Sequence, residues 1–133
     1  MDDRSFRLGD HGRYATRSKL MENETLLWLD DERDPEDARW RSYFPQPEPM
    51  VIWVKTYEQF VDWISTNDLP NAICFDHDLG EERSGFDAAK WLTEHCLNND
   101  KPLPAWNIQS ANPIGKENIA SLLRSFERST ENR

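Results

Sequence analysis

Two short apolar runs, each broken off by carboxylates, set the narrowest limits on how this chain folds. Leu-Leu-Trp-Leu at 26–29 stops at Asp30-Asp31, and Ala-Ile-Cys-Phe at 72–75 stops at Asp76-His77-Asp78-Leu79-Gly80. Four apolar residues without polar alternation are too few for a buried helix and match a strand covered on both faces. Such strands belong to parallel sheets, which carry their chemistry just past the strands' carboxyl ends. One strand ending in Asp is commonly only entering a loop. Two acidic ends in one small domain would bring four carboxylates to one edge, where they repel unless a proton or a cation intervenes. The pattern therefore points to a divalent-metal site formed by Asp30, Asp31, Asp76 and Asp78.

The rest of the chain alternates in the same way. Met50–Val54 and Trp106–Ile108 read as further strands. Thr56-x-x-Gln59 opens a helix with a stripe of Phe60, Trp63 and Ile64, stopped by Asn67-Asp68-Leu69-Pro70. Ser84 or Gly85 begins another through about Leu97, with Phe86, Ala89, Leu92 and Cys96 at helical spacing. Asn112-Pro113 caps a last helix whose buried face is Ile119, Leu122, Leu123 and Phe126, with a tail at 129–133. Pro35–Pro49 holds four prolines and allows at most a short first helix. The expected fold is α/β, an open parallel sheet of about four strands with helices on both faces. It occupies residues 23–128, and residues 1–22 are expected to form a flexible extension.

Composition narrows the function classes. The 133 residues carry a net charge of −9. Residues 1–20 hold five cations against three carboxylates, a net of +2, so the remainder carries −11. So acidic a body does not coat nucleic acid, which needs Lys and Arg for phosphate. It fits metal binding, or a basic protein partner. No apolar stretch approaches a membrane span and no signal peptide opens the chain, so a cytoplasmic protein is expected. Cys74 and Cys96 match no metal or redox spacing and are read as buried thiols.

At the expected switch point of the sheet, the ends of strands one, three and four converge. The converging groups are Asp30-Asp31, Asp76-His77-Asp78, and Gln109 and Ser110 with Asn112. Such an oxygen-rich set suits Mg²⁺ or Mn²⁺ together with a phosphate. Ser110, Asn112 and the amides after it, with Gln109 and Lys116 nearby, are the candidate substrate-binding groups. Trp40 in the proline-rich stretch is a candidate for stacking on a base, although core packing is the commoner fate of Trp.

Asp30-Asp31, Asp76 and Ser110-Ala111 resemble the receiver domain of two-component response regulators. The stretches Leu-Trp-Leu-Asp-Asp-Glu-Arg-Asp-Pro (27–35), Phe-Asp-His-Asp-Leu-Gly (75–80) and Asn-Pro-Ile-Gly-Lys-Glu-Asn-Ile (112–119) more closely resemble the cyclic-phosphate-processing receiver domains. The resemblance covers roughly residues 25–126. It implies a flavodoxin-like topology lacking the fifth strand and a metal-dependent phosphoesterase acting on cyclic phosphates of RNA ends or nucleotides. His77, Asp76 and Ser110 would be the catalytic residues, with His77 as general acid or base.

Two departures bear on that expectation. No fifth-strand lysine follows the last helix, and Gln109 stands where the family often has His. Glutamine cannot transfer protons as imidazole does. Two other classes therefore stand beside the enzyme. One is a non-catalytic acidic interaction protein, phage-encoded and gripping a host protein, for example through its basic arm. The other is a receiver module that accepts a phosphoryl group on Asp76.

Overall fold

The structure, a computed structural model, describes residues 24–37, 39 and 49–131. The expected N-terminal arm, Trp40 and most of the proline-rich connection lie outside the described residues. Four strands, β1 (Thr25–Leu29), β2 (Met50–Val54), β3 (Ala72–Phe75) and β4 (Ala105–Ile108), form one sheet in the order β2-β1-β3-β4. Every pairing is parallel. Among the described residues, three helices, α1 (Tyr57–Asn67), α2 (Gly85–Asn98) and α3 (Pro113–Glu131), accompany the sheet. The order reverses between β1 and β3, so these neighbours leave the sheet toward different connections and open a crevice at their carboxyl ends. This is the receiver-like α/β topology, without a fifth strand among the described residues.

Register fixes which residues share the crevice. Leu29 pairs with Phe75, and Phe75 with Ile108. The next residues along, Asp30, Asp76 and Gln109, therefore sit side by side where the apolar rows end. Backbone bonds continue one step into that row: Asp30 N–H donates to Val54 O, Asp76 N–H to Leu29 O and Gln109 N–H to Phe75 O.

Successive strand residues point to opposite faces. Leu27, Leu29, Ile73, Phe75, Trp106 and Ile108 pack with Phe60 and Ile64 of α1, Ala88, Ala89 and Leu92 of α2, and Ile119 and Leu123 of α3. The described helices thus share this face. Leu26, Trp28, Ala72, Cys74 and Ala105 form a second buried cluster on the other face. The helix expected between β1 and β2 falls largely outside the described residues.

The helix starts follow their capping chemistry. Thr56 Oγ1 accepts from Gln59 N–H at 3.0 Å. Ser84 Oγ accepts from Phe86 and Asp87 N–H while Asp87 Oδ2 accepts from Ser84 N–H, a reciprocal box. Asn112 Oδ1 accepts from Gly115 N–H at 2.9 Å, with Pro113 in the first helical position. The last helix runs to Glu131 rather than giving way to a tail at 129. No Gly or Pro interrupts residues 116–131, and Thr130 Oγ1 donates to Glu127 O.

At the outer strand the sheet ends on a self-made cap. Ala105 and Gln109 direct their N–H groups to the β3 side, so those of Trp106 and Ile108 face outward. The Ile108 N–H donates to Asn107 Oδ1 of its own strand at 2.8 Å. Cys74 and Cys96 are both free and buried.

Candidate functional site

Asp30 is fully buried, and every polar atom it has is engaged. Its Oδ1 accepts from Glu32 N–H (2.9 Å) and Arg33 N–H (2.8 Å), the turn geometry Asp favours after a strand. Its Oδ2 accepts from Arg33 Nη1 (3.1 Å) and from Gln109 Nε2 (3.3 Å). Even its carbonyl accepts from the Trp53 indole at 2.7 Å. The expected metal ligand is thus also the keystone of the β1 turn.

Asp76 lies beside it in a different state. It is 3% exposed, and its nearest cation is again Arg33, with Nη1 3.4 Å from Oδ1. Burial, reinforced by the Asp30 charge and by Asp31, pushes its carboxyl up to about 7, with Arg33 opposing. Ligand atoms of Asp30, Asp31 and Asp76 all lie within 4.8 Å of one another. The donor set fits a hard divalent cation: three carboxylates at one point, one of them holding a proton that a cation would displace.

A cavity of about 230 Å³ opens over this cluster, lined by Asp31, Glu32, Arg33, Asp76, Asp78 and Ala111. Two glycines bring the β3–α2 connection close. Gly80, at φ +66°, approaches Asp31 so nearly that a Cβ would come 2.9 Å from its Oδ2. At Gly85 a Cβ would lie 1.9 Å from the Asp76 carbonyl oxygen, so α2 starts directly against the strand end.

The remaining expected residues surround the cavity in different ways. Asp78 lines it; its hydrogen bond with His77 and then that with Asn112 hold its carboxyl below the usual range. The His77 ring packs against the α3 backbone, where a Cβ on Gly115 would come 2.3–2.7 Å from it. His77 Nδ1 is 2.9 Å from Asp78 Oδ1, and Asn112 Nδ2 donates to Asp78 at 3.4 Å. Ser110 is half-buried, its Oγ accepting from Asn112 N–H at 3.1 Å. Neither His77 nor Ser110 is part of the cavity lining. Lys116 is exposed on the first turn of α3.

Gln109, expected to touch substrate, is 4% exposed and turned inward. Its Nε2 donates to Leu29 O (3.1 Å) and Asp30 Oδ2, because the second Asp30 oxygen needs a buried donor. Its Oε1 has no hydrogen-bond partner among the described residues. Sequence reasoning gave no role to Glu32 and Arg33. The signal was present: an Arg three residues after a strand-ending Asp lies within reach of that carboxylate across a tight turn.

A family model described as the cyclic-phosphate processing receiver domain matches residues 25–125. The chain belongs to this family. Its match spans all four strands and the residues of the cavity lining. No curated protein matches the chain. A solved fusion protein carrying the yeast Spc42 trimeric coiled coil (amino acids 181–211) is similar at a TM-score of 0.53 and 18% identity. That similarity covers 86% of this chain and 85% of that one, and at such identity it concerns fold alone. Among the described residues of this cyclic-phosphate-processing receiver domain, no helix is long and apolar enough to cross a membrane.

Proposed function

We propose that the domain is a divalent-metal-dependent phosphoesterase that opens cyclic phosphates on RNA ends or nucleotides. The observation that carries this reading is the meeting of Asp30, Asp31 and Asp76 at an open cavity, with Asp76 pushed up to about 7. Membership of the cyclic-phosphate processing receiver family supports the choice of substrate class.

Asp31 and Asp76 would hold Mg²⁺ or Mn²⁺, with Asp30 and Asp78 as supporting charges. The ion would supply polarisation of the phosphoryl group and a more acidic water. The chain's own residues do the rest. Asp30 keeps the β1 turn rigid, so Asp31 stays aimed at the crevice. Asp78 and Gly115 fix the His77 ring between the β3 loop and the first turn of α3, and His77 would give the leaving ribose oxygen the proton it takes up. Ser110 would offer its hydroxyl hydrogen and the α3 start the Ile114 amide to phosphate oxygens, the Asn112 and Gly115 amides being taken by Ser110 Oγ and Asn112 Oδ1. Gln109 performs no proton transfer, so His77 is the single imidazole assigned to the site among the described residues.

The test is incubation of the full chain with 2′,3′-cyclic nucleotides and cyclic oligonucleotides, with Mg²⁺, with Mn²⁺ and with chelator. Metal-dependent opening that is lost in Asp76→Ala supports the reading. Full activity in that variant, or no product with either ion, refutes it. An added phosphoryl mass after treatment with acetyl phosphate would favour the phosphoaccepting role for Asp76 instead.

A further inference from the structure

Arg33 is the one cation lining the cavity among the described residues. Its backbone is clamped on both sides. The N–H donates to Asp30 Oδ1 at 2.8 Å, and the carbonyl accepts from the Trp28 indole at 2.8 Å. From that base the guanidinium reaches Asp30 at 3.1 Å and Asp76 at 3.4 Å while the side chain stays 26% exposed. It therefore bridges the acidic cluster and faces the cavity together.

Charge balance shows what this position does. Ionised Asp30, Asp31 and Asp76 carry three negative charges, and the guanidinium cancels one. A divalent ion would cancel the other two and leave the cluster neutral. Without the guanidinium, the ion-loaded cluster stays negative and is rimmed by the further carboxylates Glu32 and Asp78. A phosphate approaching that cavity would be repelled. The planar fork of Arg also matches the spacing of two phosphate oxygens, which a point charge does not.

We infer that Arg33 is a substrate-binding residue of this site, contacting the phosphoryl oxygens of the anion that enters the cavity as well as bracing Asp30 against Asp76. The inference rests on the metal-dependent reading above. As a phosphate ligand, Arg33 makes anion affinity depend on its fork, whereas cation affinity does not require it.

The decisive experiment titrates inorganic phosphate calorimetrically into the Mg²⁺-loaded full chain, and Mg²⁺ into the metal-free chain. Native protein, Arg33→Lys and Arg33→Met are compared, with thermal melts to confirm folding. Phosphate affinity is expected to fall about tenfold or more in Arg33→Met and several-fold in Arg33→Lys. Mg²⁺ affinity should not fall in either variant, because the ion is held by carboxylates and not by Arg33, and removal of the adjacent charge in Arg33→Met strengthens their attraction for it. If Arg33→Met fails to fold, Arg33→Lys decides, since it keeps the charge and loses the fork. Equal phosphate affinity in the folded variants overturns the inference. So does absence of phosphate uptake by the native Mg²⁺-loaded chain, or parallel loss of Mg²⁺ uptake in both variants, which would make Arg33 a brace only. Phosphate binding through Arg33 without any opening of cyclic phosphates would leave the inference standing and refute the enzyme. Active enzyme with KM unchanged in the variants would do the reverse.

Discussion

The ends of β1 and β3 look alike in sequence and behave oppositely in the structure. Each is an apolar run closed by Asp, and the two carboxylates lie side by side in the crevice. Asp30 receives two backbone amides, a guanidinium and a carboxamide, so its charge is satisfied although fully buried. Asp76 receives the longer contact from the same guanidinium, faces Asp30 and Asp31, and is pushed up to about 7. The difference lies in the loop that leaves each strand. After β1 the chain turns back tightly enough to donate its amides to Asp30. After β3 it runs on toward Gly80 and leaves Asp76 exposed to its neighbours' charge. One carboxylate is tied into the fold, and the other is left among like charges and holds its proton to higher pH.

The strongest way to break this contrast is to remove the satisfied member. Asp30→Ala strands two amides in the interior and takes one partner each from the Arg33 guanidinium and the Gln109 amide. The expected loss is about 3–5 kcal/mol, read from urea unfolding. A loss below about 1 kcal/mol would mean that Asp30 is not the keystone.

Asp76→Asn should act in the other direction. The folded protein holds the Asp76 proton more tightly than the unfolded chain, at about 7 against 3.8. Its contribution is therefore most favourable at low pH, declines as pH rises from about 4 to 7, and stays lost above that. The asparagine variant lacks this decline, so the metal-free variant should melt higher than native at pH 8, by on the order of 2 kcal/mol. The advantage should shrink as pH falls toward about 4, and its thermal shift with Mg²⁺ should vanish. In native protein, Mg²⁺ must displace the proton below about 7, so its affinity should drop roughly tenfold per pH unit there and level off above.

Smaller effects sharpen the comparison on the β3 side. Gly115→Ala places a methyl against the His77 ring and should cost about 1–3 kcal/mol by overpacking, with activity falling as the imidazole shifts. Asp78→Asn should change stability by at most about 0.5 kcal/mol, since that carboxylate is 65% exposed. A reduced rate with unchanged melting would mark its hold on His77 as functional.

The architecture was readable because its signals are local. Continuous apolar runs gave β1 and β3 to within a residue, and the Thr56, Ser84 and Asn112 caps placed every described helix start. The acidic meeting point followed from the parallel topology, which brings Asp30 and Asp76 together across neighbouring strands. Two things escaped because they depend on side-chain direction. Gln109 lies on the face that turns toward Asp30, which the alternation of β4 permits but which residue type alone does not reveal. Arg33 is one of sixteen cations in the chain, and only the tight turn around Asp30 distinguishes it from a solvated one. The helix end at Glu131 was missed because polar residues without a breaker leave a terminus undefined.

The Asn107 cap on β4 has a consequence for how copies of this protein meet. An outermost strand with open amides is a template on which another chain can lay its own backbone, lengthening the sheet from molecule to molecule. By claiming the outward Ile108 N–H for its own side chain, Asn107 withdraws one rung of that ladder. A second backbone arriving at this edge would therefore find one rung fewer to pair with.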